Sequence, residues 1–262
     1  MSPPPDISVD LDGTAVSRSA ICNWEQRRAT AVLAKFSRRL GRRALAELTP
    51  RLGIAALRDA DLRSQRTALV QVKEGLGHAG ICAMLRHEIL LSERVARITV
   101  AASRGRTASS IVRITATDCV AAEFASWFME LTASNNETEM VSACPDHYLL
   151  RGLPDGCQEV IETTGGSPTA SRFLVDYTSS AALTTPIDPS YPIQIAGHAV
   201  LDDGLIIGGV RHQFRDHNGS MEALLTVEFP RLVPKALIAS HRWHLAAEFS
   251  NWISASRSDT AA

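Results

Sequence analysis

Pro234–Ile253, PKALIASHRWHLAAEFSNWI, reads as one uninterrupted helix with a proline at its start, and the chain before it sets what that helix must pack against. Upstream run short stretches with strand-like alternation: Glu139–Ala143, Tyr148–Arg151, Gln158–Thr164, Ser171–Tyr177, Gln194–Val200, Leu205–Phe214 and Ala223–Phe229. Pro154-Asp155-Gly156, Gly165-Gly166, Asp202-Asp203-Gly204 and His217-Asn218-Gly219 supply turn chemistry between them. Earlier still, Arg97–Val100 and Ser110–Thr115 are β-branched and strand-like, and Val120–Leu131 (VAAEFASWFMEL) has the spacing of a short amphipathic helix. Consecutive antiparallel strands closed by one long helix predict an α+β layer, with the helix packed on a curved sheet.

The first part of the chain has a different texture. Residues 1–6 read as a disordered leader. From about Ala20 to Glu93 the sequence is rich in Ala, Leu and Arg, with helix-spaced Leu33, Phe36 and Leu40, and predicts three to five helices. The expected organisation is therefore a helical region over 7–93, able to form a homodimer, followed by a sheet-and-helix domain over 94–262.

At 262 residues, 45% hydrophobic and 21% charged, the chain has the composition of an ordinary globular protein. A net charge of −1 lacks the Lys/Arg excess that phosphate contacts require, so no nucleic-acid partner is expected. Apolar runs fall short of the ~20 residues of a membrane span, and Met1-Ser2-Pro3-Pro4-Pro5 does not open like a signal peptide. The expectation is a cytoplasmic protein without a membrane partner. Cys22, Cys82, Cys119, Cys144 and Cys157 are scattered without a C-x-x-C pair and read as reduced thiols.

The closing helix carries His244 and Glu248, four residues apart and so on one face, a spacing that gives two ligands to one metal without backbone strain. His147 lies at a turn entering a strand, in Cys144-Pro145-Asp146-His147-Tyr148. Glu162 shares a strand face with Val160, where a buried carboxylate needs a partner and a metal is one. His212, in Val210-Arg211-His212-Gln213-Phe214-Arg215-Asp216, is placed as a general acid/base beside such a site. Each residue alone has a plainer reading: a surface turn histidine, an exposed carboxylate, a helix surface pair, a strand histidine satisfying a core hydrogen bond.

In these stretches the sequence resembles the diacetylphloroglucinol hydrolase family, which includes phloretin hydrolase. The resemblance covers residues ~110–255 through Phe124–Leu131, Cys-Pro-Asp-His-Tyr at 144–148, Val160-Ile161-Glu162, His212–Asp216 and His244–Asn251. It implies a helix-grip (START-like) fold with a cavity between sheet and helix. It also implies zinc held by His147, Glu162, His244 and Glu248, with His212 as the catalytic histidine. Manganese or iron would suit the same ligands less typically. The implied reaction hydrolyses a carbon–carbon bond between a phenolic or polyketide-like ring and an acyl group. Arg211, Tyr148 and His241 are the candidate substrate contacts.

The family's substrate-orienting tyrosines have no clean counterpart among Tyr148, Tyr177 and Tyr191. A metal-dependent cyclase, aldolase-like enzyme or dehydratase is therefore the alternative, and a non-catalytic small-molecule carrier is the alternative from another class. Asp10-Leu11-Asp12-Gly13-Thr14 also resembles the nucleophile motif of haloacid-dehalogenase phosphatases. That mechanism needs a lysine between its second and last motifs, and none occurs from Ser103 to Asp202; Asp10–Thr14 reads instead as a turn.

Overall fold

A computed structural model describes residues 6–49, 57 and 59–260, with side chains described through Arg257. Except for Asp6, the expected leader lies outside the described residues. The strands are β1 (Ile7–Leu11), β2 (Thr14–Val16), β3 (Thr107–Thr117), β4 (His147–Gly152), β5 (Gln158–Glu162), β6 (Ser171–Asp176), β7 (Ile193–Val200), β8 (Ile206–His217) and β9 (Ser220–Pro230). The helices are α1 (Arg18–Leu40), α2 (Arg42–Leu48), α3 (Leu62–Ser103), α4 (Ala121–Ala133), α5 (Glu137–Ser142) and α6 (Lys235–Thr260). All nine strands form one antiparallel sheet in the order β2-β1-β3-β9-β8-β7-β6-β5-β4.

The sheet grips α6. Inward residues of the central strands, including Val112, Ile114, Phe214, Met221, Ala223 and Leu225, pack with Leu245, Phe249, Trp252 and Ile253 in one core. From His244 to Ser250 every residue of α6 is buried, so the helix is enclosed rather than laid on a surface. Apolar burial of this kind stabilises by about 25 cal/mol per Å² removed from water. The N-terminal helices build a second core on the other face of the β4–β5 end, where Phe36, Leu69, Val72 and Leu85 meet Tyr148, Leu149 and Ile161.

Three sequence expectations are corrected. Arg97–Val100 is the end of α3, because Leu91, Val95, Ala96 and Thr99 turn toward one cavity at helical rather than alternating spacing. Glu139–Ala143 is mostly α5, started by the Asn136 side chain accepting from Glu139 N (3.2 Å), with Glu137 and Glu139 in its first turn. Asp10–Thr14 contains a turn, but only Asp12-Gly13 form it; Asp10 and Leu11 belong to β1, which pairs with β3. Consequently part of the region expected to be helical contributes two strands to the sheet, and the expected boundary at residue 93 falls inside α3. No helix is long and apolar enough to cross a membrane among the described residues.

A 3-10 turn, Thr164–Gly166, presses against α6 one turn before His244. A Cβ on Gly165 would lie 2.7 Å from His241 N and 3.0 Å from Leu237 O, at a φ of +56°. Gly165→Ala is therefore expected to cost about 3 kcal/mol, overpacking added to a left-handed backbone. Gly219→Ala, also at positive φ but with nothing within 4 Å, is expected to cost about 1 kcal/mol. Urea denaturation of both variants measures the difference; equal losses would show that Gly165 is not a close-packing position.

Candidate metal centre

The four residues nominated as ligands meet at one point. His147 and Glu162 are directly opposed on β4 and β5, so cross-strand pairing alone places them on the same face. α6 brings His244 and Glu248 over them, one helical turn apart. His147 Nε2 lies 3.0 Å from His244 Nε2, 3.0 Å from Glu248 Oε2 and 3.9 Å from Glu162 Oε2. His244 Nε2 lies 3.6 Å from Glu162 Oε2 and 3.4 Å from Glu248 Oε2. A tetrahedral ion with ligand bonds of about 2.0–2.1 Å sets its ligand atoms about 3.3 Å apart, close to these separations. All four residues are buried.

The outer faces of the imidazoles fix their orientation. His147 Nδ1 donates to Met140 O (3.3 Å), because a carbonyl only accepts, which turns Nε2 inward as a lone pair in the neutral ring. His244 Nδ1 faces Asp146 Oδ2 at 3.9 Å and Cys144 Sγ at 3.7 Å. Asp146 is itself clamped by Arg28, with Nη2 to Oδ1 at 2.7 Å and Nε to Oδ2 at 3.0 Å, and accepts from Thr163 Oγ1 (2.5 Å). Burial opposes ionisation of Asp146, yet His244 and Arg28 hold its carboxyl well below the usual range.

Two imidazoles and two carboxylates packed this closely demand positive charge. Burial disfavours a charged His244, but Cys144, Glu248, Glu162 and Asp146 around it raise its pKa well above the ordinary value. Glu248 is likewise held ionised, its burial outweighed by His244 and His147. A proton on His244 or a divalent cation held by the four groups meets that demand; the donor set of two nitrogens and two carboxylate oxygens fits zinc. Cys144, His147 and His244 also each offer a ligand atom within 4.8 Å of one another. Burial pushes the Cys144 thiol up to about 11, and its sulfur meets His244 at Nδ1 while His147 meets Nε2. The carboxylates thus share the convergence point of the two Nε2 atoms, and Cys144 sits behind it.

Glu162 and Glu248, but neither His147 nor His244, line a cavity of about 510 Å³ between α6 and the sheet. Its walls are mainly apolar, among them Phe128, Val160, Phe173, Val210, Val227 and Phe229, and no Lys or Arg lines it among the described residues. His212 and His241 both face this space. Burial lowers the His212 pKa to about 4 against the pull of Glu248, and burial with neighbouring His244 lowers His241 to about 3. His212 Nδ1, His241 Nδ1 and Trp252 Nε1 are buried without a hydrogen-bond partner.

Two nominated contacts lie elsewhere. Tyr148 packs against Phe36 in the helical core, because the bulge after His147 turns both Tyr148 and Leu149 away from α6. Arg211 neighbours His212 in β8 and therefore points to the opposite face, where it donates to Gln194 Oε1 at 2.8 Å. Sequence reasoning missed Tyr177 and Gln158, which line the cavity and are joined by a hydrogen bond of 3.2 Å. It also missed Arg28 and Asp146. Asp146 had a signal, standing one residue before His147; Arg28 had none, lying 118 positions away.

No protein-family model and no curated protein matches the chain. Among solved structures the chain is similar to the crystal structure of Ara h 8.0201, with a TM-score of 0.39 and 11% identity over 58% of this chain and 99% of that one. It is also similar to protein Ms6760 from Mycobacterium smegmatis, with a TM-score of 0.34 and 16% identity over 58% and 91% of the respective chains.

The Arg28–Asp146 pair sets a pH dependence. A carboxyl with a depressed folded pKa stabilises above its unfolded value near 3.9, and the contribution fades as pH falls through the folded one. Arg28→Met is expected to cost about 3 kcal/mol at pH 7, since it strands a buried carboxylate, and to move acid unfolding to higher pH. Circular dichroism titration from pH 7 to 2 checks this. An unchanged acid midpoint would show that Arg28 does not hold Asp146 ionised.

Proposed function

We propose that the protein is a metal-dependent hydrolase, with zinc as its ion, that cleaves a carbon–carbon bond between a phenolic or polyketide-like ring and an acyl group. The observation carrying this reading is the convergence of His147, Glu162, His244 and Glu248, with the two glutamates lining an apolar cavity. The resemblance to diacetylphloroglucinol hydrolases supplies the reaction type. A wall free of Lys and Arg favours an uncharged substrate, since a phosphate or carboxylate would enter without a counter-charge.

An ion held by the quartet would supply Lewis acidity to a substrate oxygen. The chain's own groups do the rest. His212 is neutral at physiological pH, so it accepts a proton before it delivers one. Delivery to the ring carbon lets that carbon leave as C–H, while the acyl carbon gains the hydroxyl of water; one water is consumed across the broken bond. His241 and Trp252 line the cavity, and its aromatic walls exclude bulk water. Tyr177 is the tyrosine of the cavity wall, a phenol kept protonated by burial.

Elemental analysis of the purified protein is expected to give about one zinc per chain, lost in His244→Ala/Glu248→Ala. His212→Ala is expected to keep the ion and lose about 10²–10⁴-fold in turnover of acylphenols. A wild type that folds metal-free and refuses added zinc would leave a small-molecule carrier as the better reading. Metal-loaded protein that is inert on acylphenols but closes or dehydrates linear polyketides would instead favour the cyclase class.

A further inference from the structure

The cavity lined by Glu162 and Glu248 is long and open at one end. Pro234, Leu237, His241, Leu245, Glu248 and Trp252 line it at the three- and four-residue spacing of one helical face. The rise of an α-helix sets Leu237 about 16 Å from Glu248 along the axis, and Pro234 about 21 Å. Near Pro234 the cavity meets α3. Leu232 N donates to Ser103 Oγ (3.0 Å) and Ser92 Oγ donates to Ala170 O (2.9 Å). This stretch of α3 is thereby tied to the chain entering α6 and to the loop after β5. Leu91 and Val95 on it line the cavity while 52% and 53% exposed, and Pro168 and Pro234 are exposed lining residues too. These four side chains form a mouth.

The two ends differ in chemistry. Around Glu248 the lining is polar: His212 and Tyr177 both feel its charge, and Tyr177 donates to Gln158 Oε1 (3.2 Å). Toward the mouth, polar side chains are spent within the protein. Thr99 Oγ1 donates to Val95 O (2.7 Å) and Ser167 Oγ to Thr169 O (2.7 Å), as Ser92 does to Ala170. The Glu228 carboxylate is taken by Thr184 N and Thr185 N. A ligand that fills the space therefore has its oxygen atoms at the Glu248 end and hydrocarbon toward the mouth.

We propose that the acyl group of the substrate is a straight hydrocarbon chain of roughly eight to twelve carbons, lying along α6 from the Glu248 end to the mouth. The axial span from Glu248 to Leu237, about 16 Å, is the reach of about twelve extended methylenes. The acylphenol chemistry rests on the function proposed above, whereas the fit of ring and chain belongs to the cavity and needs neither an ion nor turnover. The ring sits beside Tyr177 and His212. The tail passes Leu245 and Leu237 and ends against Leu91 and Val95, which gives these two half-exposed apolar side chains a partner.

Affinity of the full chain for 4-alkylphenols, which have no acyl bond to cleave, is the test, measured by isothermal titration calorimetry from ethyl to octyl. Each added methylene is expected to lower Kd about threefold through octyl, with one ligand per chain. Ala96→Phe, in the cavity wall on α3, is expected to weaken octylphenol about tenfold or more and to leave ethylphenol unchanged. Val95→Phe carries the same comparison should Ala96→Phe not fold. Ile98→Phe, at a position 70% exposed and outside the lining, is expected to change neither. Affinity that levels off at ethyl or propyl, or the same change for both ligands in the α3 wall variants, would overturn the proposal. Turnover separates it from the reaction it assumes. Chain-dependent binding without cleavage of acetyl- or octanoylresorcinol would remove the hydrolase and keep the chain site. Cleavage fastest for acetylresorcinol would keep the hydrolase and overturn the long chain.

Discussion

Burying two carboxylates against two imidazoles governs the rest of this structure. Glu162 and Glu248 sit beside His147 and His244 with separations of 3.0–3.9 Å, at the edge of a mainly apolar cavity. Such a group is stable only with compensating positive charge and with every outer hydrogen bond arranged in advance. The N-terminal helices exist partly to arrange it. α1 supplies Arg28 to hold Asp146, and α3 supplies Lys73, whose buried ammonium donates to Val141 O and Cys144 O at 3.2 and 3.4 Å. The turn before His147 is thus fastened from the helical side, while β5 and α6 fix Glu162, His244 and Glu248.

The convergence of these four side chains was more legible in sequence than the chain around it. His244 and Glu248 follow from helical spacing, and Glu162 follows from a carboxylate on an apolar strand face. Two nominated contacts went astray for one physical reason. Tyr148 and Arg211 adjoin His147 and His212 in strands, and neighbours along a strand face opposite ways; a bulge at Tyr148 adds to the displacement. Arg28, which clamps Asp146 behind His244, lies 118 positions from that aspartate, and no local pattern records that.

Among the elements, the long strands and α6 could be read because their periods are unambiguous over many residues. The end of α3 could not, since Arg97-Ile98-Thr99-Val100 has β-branched side chains at both periods and the cavity wall decides between them. The β1–β2 hairpin was hidden by its length. β1 is five residues and β2 three, and their place in the sheet depends on β3, about a hundred residues later. α5 was hidden by six residues of ambiguous propensity, although Asn136 and the two glutamates of its first turn mark it as a helix start.

The sheet order has a consequence for how this architecture diversifies. His147 and Glu162, on β4 and β5, occupy one end of the nine-stranded sheet, whereas the apolar wall is drawn largely from β6, β8 and β9. Exchanging Phe173, Val210, Val227 or Phe229 for residues of other volume reshapes the chamber without disturbing the charged corner or the helices that brace it. Evolution, or an engineer, can therefore change the shape of the chamber while leaving its charged end untouched. The reverse is not open: a change at the corner propagates through Asp146 and Arg28 into the helical core. Variation in related chains should accumulate on one wall and stall at the other.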